Sequence, residues 1–214
     1  MGKISVVGIG PGSLDDMTYR AHRTIEEATA VVGYSRYIQL IADLVEGKKV
    51  LDTGMTQEID RCRAALEEAA AGENVVVISS GDAGIYGMAG LVLELLMKMD
   101  EDQRPEFGGV IPGVSAMSAA AGLLGAPIMH DFAVISLSDL LTPWELIKKR
   151  AKAAAEADFV TVLYNPRSHK RVGQIQAVQE IFLRERAPET PVGIVTSASR
   201  EGENVVISTL GAFT

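Results

Sequence analysis

The stretch that decides the fold is residues 74–87, which read NVVVISSGDAGIYG. The β-branched residues from Val75 to Ile78 form a short apolar run, which is typical of a strand buried on both faces of a parallel sheet. The glycines that follow predict a turn at the carboxyl end of that strand. Asp82 lies in this turn, either as a cap of the next helix or as part of a ligand site, because ligands of α/β sheets collect at this end of the strands.

Two further glycine turns follow predicted strands. Residues 8–12 read GIGPG after the first apolar run, and residues 112–116 read PGVSA after a later strand. Glycine at such places permits positive φ and lets a ligand approach the backbone closely. Together with the turn at Gly81, and with the small hydroxyl residue Ser115 in the third turn, they predict a ligand site at the strand ends.

Working outward, the chain repeats strand, turn and helix, which predicts an α/β fold with parallel pairing. The predicted strands are 4–9, 30–33, 49–52, 74–79, 107–111, 132–137, 159–164, 192–196 and 205–209. The predicted helices are 14–29, 37–45, 57–71, 85–99, 115–124, 143–156 and 172–186. Ser13 is predicted to cap the first of these helices and Thr142, directly before Pro143, the sixth.

The dipeptide Pro112-Gly113 interrupts this repeat and divides the chain into residues 1–112 and 113–214. Each part is long enough for a small sheet with helices packed on it. We therefore predict two α/β domains with a ligand cleft between them.

Two common nucleotide motifs are excluded by the first turn. A dinucleotide fingerprint needs a third glycine where Ser13 stands, and Pro11 removes a backbone amide from the turn that would hold pyrophosphate. The second predicted strand is followed by Gly33-Tyr34 rather than by an acidic residue, and the chain has no G-K-[ST] sequence. A nicotinamide-dependent enzyme and a P-loop protein are thus disfavoured.

Composition removes several other classes. The 214 residues carry 20 Lys plus Arg against 28 Asp plus Glu, for a net charge of −8, and 5% are aromatic, which disfavours a nucleic-acid-binding protein. The only cysteine, Cys62, is expected on a helix and partly exposed, and the three histidines, His22, His130 and His169, lack metal-ligand spacing, so no protein metal site is predicted. Without a signal peptide or an apolar run of membrane-spanning length, we expect a cytoplasmic protein with no membrane partner.

The order and spacing of the three turns resemble those of the tetrapyrrole methylases, which are S-adenosylmethionine-dependent enzymes of corrin and sirohaem synthesis. Residues 79–89, 130–132, 136–144 and 164–168 extend the resemblance over essentially the whole chain, and they are similar to members that methylate carbon 17 of a corrin precursor. The resemblance implies a class III methyltransferase of two domains, each a sheet flanked by helices. It also implies a homodimer whose cofactor lies between the domains.

Matching motifs carry the family's cofactor contacts onto this sequence. The cofactor is S-adenosylmethionine and the product S-adenosylhomocysteine. The implied contact residues are Pro11, Gly81, Asp82, Ile85, Ser115, Ala116, Tyr164, Asn165 and Ala198.

The implied reaction is methylation at carbon 17 of precorrin-3B or cobalt-factor III, coupled to ring contraction. In the family scheme a hydroxyl group at carbon 20 loses its proton while a ring carbon migrates, and a general base assists. Asp131, His130 and Asp139 are the candidate bases, although His130 also suits a structural role and Asp139 a turn cap. Because the substrate is a polycarboxylate and the protein is acidic, we expect basic groups at the site, and Arg167 and Arg171 are the candidates.

Two alternatives to this function remain open from sequence alone: another corrin-pathway methylase acting at a different carbon, or a catalytically silent domain that binds the cofactor. The sequence also favours neither the cobalt-free nor the cobalt-bound substrate. The chain also looks short for the family, so we expect the second sheet to lack a final strand.

Overall fold

The structure, a computed structural model, describes residues 1–54, 57–168 and 171–214. The chain folds as two compact units. Unit 1 comprises Met1–Ala119 and Ser197–Gly202, and unit 2 comprises Ala120–Thr196 and Glu203–Thr214. The boundary predicted after residue 112 therefore lies inside unit 1, and a short segment from the second half of the sequence belongs to the first unit.

Unit 1 is built on a five-stranded parallel sheet, as the apolar runs predict. Its strands are β1 (Lys3–Gly8), β2 (Ala30–Tyr34), β3 (Lys49–Thr53), β4 (Asn74–Ser79) and β5 (Glu106–Ile111). Their order across the sheet is β3-β2-β4-β1-β5, which places β1 and β4 side by side at the centre. The apolar run from Val75 to Ile78 thus lies in a central strand.

Helices cover both faces of this sheet. They are α1 (Tyr19–Glu26), α2 (Ser35–Gln39), α3 (Ala42–Val45), α4 (Glu58–Ala70) and α5 (Ala89–Met97), and α6 (Ala116–Leu123) begins in unit 1 and ends in unit 2. Successive side chains of a strand point to opposite faces. In β4, Val75 and Val77 accordingly pack in the core under α4 and α5, while Val76 and Ile78 pack in the core under α1.

Four predictions about unit 1 were wrong in detail. The predicted helix 14–29 is split: Ser13 caps only a 3₁₀ turn, and extended backbone at Met17 and Thr18 precedes α1, whose Ala21 N–H donates to the Thr18 hydroxyl at 3.1 Å. The predicted helix 37–45 is broken into α2 and α3 at Ile41.

The other two corrections concern α5 and the lone cysteine. The helix predicted to begin at residue 85 begins at Ala89, because the turn continues through Tyr86, which has a φ of 52°. The side chain of Cys62 is fully buried under the sheet rather than partly exposed, since α4 presents it to the same core as Ala65 and Ala69.

Unit 2 contains four strands and two helices among its described residues. Strands β6 (Phe132–Ser136) and β7 (Val160–Tyr164) pair in parallel, and β8 (Pro191–Thr196) and β9 (Asn204–Thr209) pair antiparallel. Where a single sheet was predicted, the described residues of unit 2 form two separate two-stranded sheets. Helices α7 (Trp144–Glu156) and α8 (Gln174–Leu183) pack on β6 and β7 around Leu137, Ile147 and Val178.

The start of α7 differs from the prediction. Pro143, not Thr142, occupies the capping position, and its extended ψ of 136° leaves its carbonyl to accept the Leu146 N–H at 2.9 Å. Across the described residues, no helix combines the length and the apolar character that crossing a bilayer requires.

Candidate active site

The carboxyl edge of the sheet in unit 1 gathers the three glycine turns. Because β4, β1 and β5 are adjacent and parallel, the turns that follow them emerge side by side. The connection after β1 runs toward β2, whereas the connection after β4 runs to β5 in the opposite direction. Adjacent strands whose connections diverge form a switch point, and open α/β sheets bind ligands outside the strand ends at such a point.

The turns approach so closely that two positions, Gly113 and Gly8, have no room for a side chain. A Cβ on Gly113 would lie 2.2 Å from the carbonyl oxygen of Gly81 and 2.6 Å from that of Gly8. A Cβ on Gly8 would lie 2.6 Å from the same Gly81 oxygen. These glycines are therefore required by backbone packing between the turns, in addition to any ligand they face.

Hydrogen bonds fix the first turn to the second. Gly10 and Gly81 form an antiparallel bridge, in which the Gly81 N–H donates to the Gly10 carbonyl at 2.7 Å and the Gly10 N–H to the Gly81 carbonyl at 3.1 Å. Gly81 has a φ of 67°, a conformation that a residue with a Cβ adopts only with strain.

Asp82 fixes the second turn to the third. One carboxylate oxygen accepts the Gly84 N–H at 2.8 Å and the other accepts the Gly113 N–H at 3.0 Å. The side chain therefore clamps two turns together, a role that the sequence did not suggest, and it does not cap α5, which begins only at Ala89. Its predicted contact with a ligand stays a prediction.

The remaining predicted contacts of unit 1 differ in exposure. Ile85 and Ala116 are exposed, whereas Pro11 is buried. Ser115 is buried, and its hydroxyl accepts the Ser118 N–H at 3.1 Å, which satisfies a backbone donor at the start of α6. Backbone and small apolar groups, rather than ionisable side chains, thus dominate the predicted contact surface.

Sequence reasoning did not single out Arg200, although it contacts two of the turns. Its guanidinium donates to the Pro11 carbonyl and to the Ser80 hydroxyl. It follows Ser199 in a polar loop, and nothing in the local pattern indicates so distant a partner.

Unit 2 carries a second polar cluster at the carboxyl ends of β6 and β7. Ser136 and Tyr164 are paired in register, and the Leu137 N–H donates to the Tyr164 carbonyl at 2.9 Å. Asn165 has a φ of 52°, and its side-chain amide donates to the Ser136 hydroxyl at 2.9 Å. The predicted contact residues Tyr164 and Asn165 thus lie at the end of β7, and hydrogen bonds hold them to the end of the neighbouring strand β6.

Asp139 and Arg171, predicted for separate roles, lie together in this cluster. Their nearest charged atoms are 3.9 Å apart, the Arg171 guanidinium also reaches the Ser138 hydroxyl at 3.4 Å, and the Gln174 amide donates to Asp139 at 3.3 Å. The side chain of Arg171 is only 13% exposed. The Arg171 side chain is thus held by the loop that follows β6, while Arg167 is exposed.

The three candidate bases are not brought together within unit 2. His130 and Asp131 directly precede β6, whereas Asp139 follows its other end, so the length of a five-residue strand separates them. His130 and Asp131 are both exposed. Among the described residues, no group of three or more potential ligands from His, Cys, Asp and Glu is arranged to hold a metal ion.

The sequence matches one family of known proteins. The profile of the family described as Tetrapyrrole (Corrin/Porphyrin) Methylases matches residues 3–214. The chain belongs to the tetrapyrrole methylase family. The family expected from the three glycine turns is confirmed, and the turns that converge at the switch point are those of a tetrapyrrole methylase.

Two curated tetrapyrrole methylases are similar to this one over nearly its whole length. The protein of Salmonella typhimurium called probable cobalt-factor III C(17)-methyltransferase is 53% identical over 97% of this chain and 85% of its own length. The cobalt-factor III methyltransferase of Priestia megaterium is 51% identical over 98% of this chain, which spans 39% of that longer protein.

Solved structures confirm the predicted tetrapyrrole methylase fold. The crystal structure of the methyltransferase CobJ superimposes with a TM-score of 0.93, at 39% identity, covering 100% of this chain and 89% of that one. Uroporphyrin-III C-methyl transferase from Thermus thermophilus, complexed with S-adenyl homocysteine, superimposes with a TM-score of 0.74 at 25% identity, over 98% of this chain and 89% of that one.

Proposed function

We propose that the chain transfers the methyl group of S-adenosylmethionine to carbon 17 of a corrin precursor, with contraction of the macrocycle, in cobalamin biosynthesis. The observation that carries the proposal is the 53% identity, over 97% of this chain, to a protein named for methylation at this carbon in cobalt-factor III. The motifs that the sequence shares with such enzymes lie in both units, at Gly81-Asp82 and at Tyr164-Asn165.

The three glycine turns at the carboxyl edge of the unit 1 sheet are joined to one another by hydrogen bonds, and we call them the cofactor edge. Its residues fit such a cofactor, because Ile85 and Ala116 are exposed beside backbone that the Asp82 clamp holds in place. Ligand sites combine apolar lining with a few fixed polar groups, and this edge offers both. Gly81, Asp82, Ile85, Ser115 and Ala116, with Pro11 and Ala198, would hold the cofactor here. Tyr164 and Asn165 are the further contact residues that we propose from the shared motifs.

The chain contributes position rather than an ionised catalytic group at this edge. When bound, S-adenosylmethionine supplies a methyl group already activated on a cationic sulfur. Alignment of two reactants in one site lowers a barrier by several kcal/mol, roughly 7–11 at the upper end. Turns whose backbones are fixed to one another by the Gly10–Gly81 bridge provide such alignment without reorganisation.

A proton acceptor for the substrate hydroxyl group comes from unit 2. All three candidates are exposed, but we place this role with His130 or Asp131 ahead of Asp139, because the Asp139 carboxylate already interacts with Arg171 and Gln174. A general base needs hydrogen-bond reach to the proton that it takes, and a carboxylate that already has partners must first give them up.

Arg167 is the residue proposed to meet the carboxylates of the substrate. It follows the Tyr164-Asn165-Pro166 motif and is exposed, whereas Arg171 is held by Asp139 and contributes by ordering the same loop. An arginine presents paired N–H donors that suit a carboxylate.

We also propose that the protein is a homodimer and that it is cytoplasmic. Light scattering of the purified protein tests the dimer.

The decisive experiment incubates the chain with methyl-labelled S-adenosylmethionine and, separately, precorrin-3B and cobalt-factor III. We expect one labelled methyl group in at least one product, an absorption change on ring contraction, and release of S-adenosylhomocysteine. Cobalt-factor III is the expected substrate, since two of the relatives are named for it. Tight binding of S-adenosylhomocysteine without methyl transfer to either precursor would contradict the proposal and indicate a silent binding domain.

The same assay separates the candidate bases. His130→Gln and Asp131→Asn should each be compared with Asp139→Asn for kcat and its dependence on pH. Loss of the rising limb of the pH profile identifies the proton acceptor. An Asp139→Asn variant that loses this limb while the other two retain it would overturn the assignment.

A further inference from the structure

The segment Ser197–Gly202 belongs to unit 1, although β8 and β9 on either side of it belong to unit 2. Within it, Ser197 and Ser199 have φ values of 54° and 58°, which non-glycine residues adopt at a cost. Ala198, a proposed cofactor contact, lies between these two residues. The backbone N–H of Arg200 donates to the Ser197 carbonyl at 2.9 Å, and the Arg200 side chain attaches the segment to the rest of unit 1.

Arg200 is bonded to both of the turns that form the cofactor edge. Its Nε donates to the carbonyl oxygen of Pro11, and its Nη2 donates to the hydroxyl of Ser80 at 2.6 Å. These partners are 189 and 120 residues away in sequence. A single planar guanidinium therefore ties the Ser197–Gly202 segment to the first and the second glycine turns.

The stem of Arg200 also explains a glycine that the other contacts leave unexplained. A Cβ on Gly12 would lie 2.2 Å from the Cγ and 2.7 Å from the Nε of Arg200. The first turn thus lacks a side chain at position 12 where the stem of Arg200 passes. Three contacts, to Pro11, Gly12 and Ser80, consequently fix the position of one side chain.

The charged guanidinium of Arg200 donates its hydrogen bonds to neutral oxygens. Within the described residues, no carboxylate forms an ion pair with it at 4.0 Å or less, so its partners are a carbonyl and a hydroxyl. Lysine has no planar fork and cannot reproduce two such bonds from fixed directions. The arrangement therefore depends on guanidinium geometry and not on charge alone.

We propose that Arg200 is a positioning residue for the cofactor site, holding the first two glycine turns and Ala198 in the arrangement that binds S-adenosylmethionine. This inference rests on the proposed function, because it takes those turns as the cofactor edge. It assigns no contact between Arg200 and either reactant. Its consequence is a specific loss of cofactor affinity when the fork is removed.

The test measures S-adenosylhomocysteine binding by calorimetry for Arg200→Ala and Arg200→Lys, alongside KM for each substrate. Losing hydrogen bonds from a charged donor should raise the cofactor Kd about tenfold or more. The KM for the tetrapyrrole should change less than twofold. We expect Arg200→Lys to resemble Arg200→Ala, whereas recovery of wild-type affinity by lysine would overturn the role of the fork. The control is Arg23→Ala, a 71% exposed arginine on α1 of the same unit.

A second variant tests the geometry even if Arg200→Ala is unstable. Gly12→Ala should raise the cofactor Kd in the wild-type chain, because its Cβ displaces the Arg200 stem, and an unchanged Kd would overturn the inference. In a folded Arg200→Ala chain, Gly12→Ala should have little effect, because the Cγ and Cδ atoms that the new Cβ would meet are absent. Equal effects of Gly12→Ala in both backgrounds, or an unchanged Kd in a folded Arg200→Ala protein, would overturn the inference. If the wild-type chain binds no S-adenosylhomocysteine, the proposed function fails instead, and the coupling of Gly12 and Arg200 in unfolding free energy still tests the contact itself.

Discussion

At the scale of single residues, Cys62 illustrates how burial decides chemistry. Its side chain is fully buried in the core between the sheet and α4. Burial raises the pKa of the Cys62 thiol to about 11 from an ordinary 9.0, with the nearby Arg61 opposing and Glu58 adding to the shift. Since the thiolate is the reactive form, the native thiol is expected to be inert.

We predict that Ellman's reagent at pH 8 leaves the native protein unmodified and titrates one thiol after denaturation. The raised pKa also has a consequence for stability. A group whose folded pKa exceeds its unfolded pKa stabilises the fold fully below the unfolded value and loses that contribution as pH rises toward the folded value. Relative to Cys62→Ala, the wild-type chain should therefore lose unfolding free energy between about pH 9 and 11. Rapid labelling of the native protein at pH 8 would contradict the burial of this thiol.

The roles of individual polar residues were less predictable than their positions. Asp82 was expected at the strand end and lies there, but its clamp on the Gly113 N–H joins residues 31 apart in sequence. The partners of Arg200 are farther still. The sequence pattern around a side chain predicts the turn in which that side chain lies. Its hydrogen-bond partner depends on which strands become neighbours, and the whole sheet determines that.

At the scale of elements, the packing of turns against one another sets the site. Gly113 is the sharpest test, because a Cβ there would approach two carbonyl oxygens within 2.6 Å. We predict that Gly113→Ala destabilises the chain by about 1–3 kcal/mol, as overpacking does, and weakens cofactor binding. Chemical denaturation and calorimetry measure the two effects.

The chain offers a matched control for that substitution. Gly122 lies in α6, and a Cβ there would meet nothing within 4 Å. Alanine has the higher helix propensity by roughly 0.8–1.0 kcal/mol, so Gly122→Ala should leave stability unchanged or raise it. A Gly113→Ala protein as stable as Gly122→Ala would show that the turns do not pack as described.

Strands with strong apolar runs were predicted well, whereas helix starts that depend on the choice of an N-cap residue were not. The apolar runs of β1 and β4 indicated strands, because they are short, rich in β-branched residues and bounded by glycines. The helix predicted from residue 14 failed because Thr18, as an N-cap, competes with continuation of the helix. Ser13 and Thr18 both suit a cap, and the choice between them depends on where the chain must join the sheet.

At the scale of the whole molecule, the acidic character of the chain conflicts with an anionic substrate. The net charge is −8, so at long range the protein repels a polycarboxylate. The sequence also predicts two domains. That Ser197–Gly202 belongs to unit 1 could not be predicted from the order of residues along the chain. A local cation is needed to offset the repulsion, and the exposed Arg167 is the one proposed.

Salt separates this local attraction from the global repulsion. Attraction between exposed charges is screened over about 10 Å at 0.1 M ionic strength, so a contact made by Arg167 weakens as salt is added. We predict that Arg167→Ala raises the KM for the tetrapyrrole about fivefold at low salt, which corresponds to ~1 kcal/mol, and that the ratio to wild type falls toward one as salt rises. The KM for S-adenosylmethionine should not change. Lys149→Ala, on the exposed side of α7, is the matched control and should keep a ratio near one throughout. A ratio for Arg167→Ala that stays constant with salt would mean that its effect is steric, and the offsetting cation would then have to be sought elsewhere on the molecule.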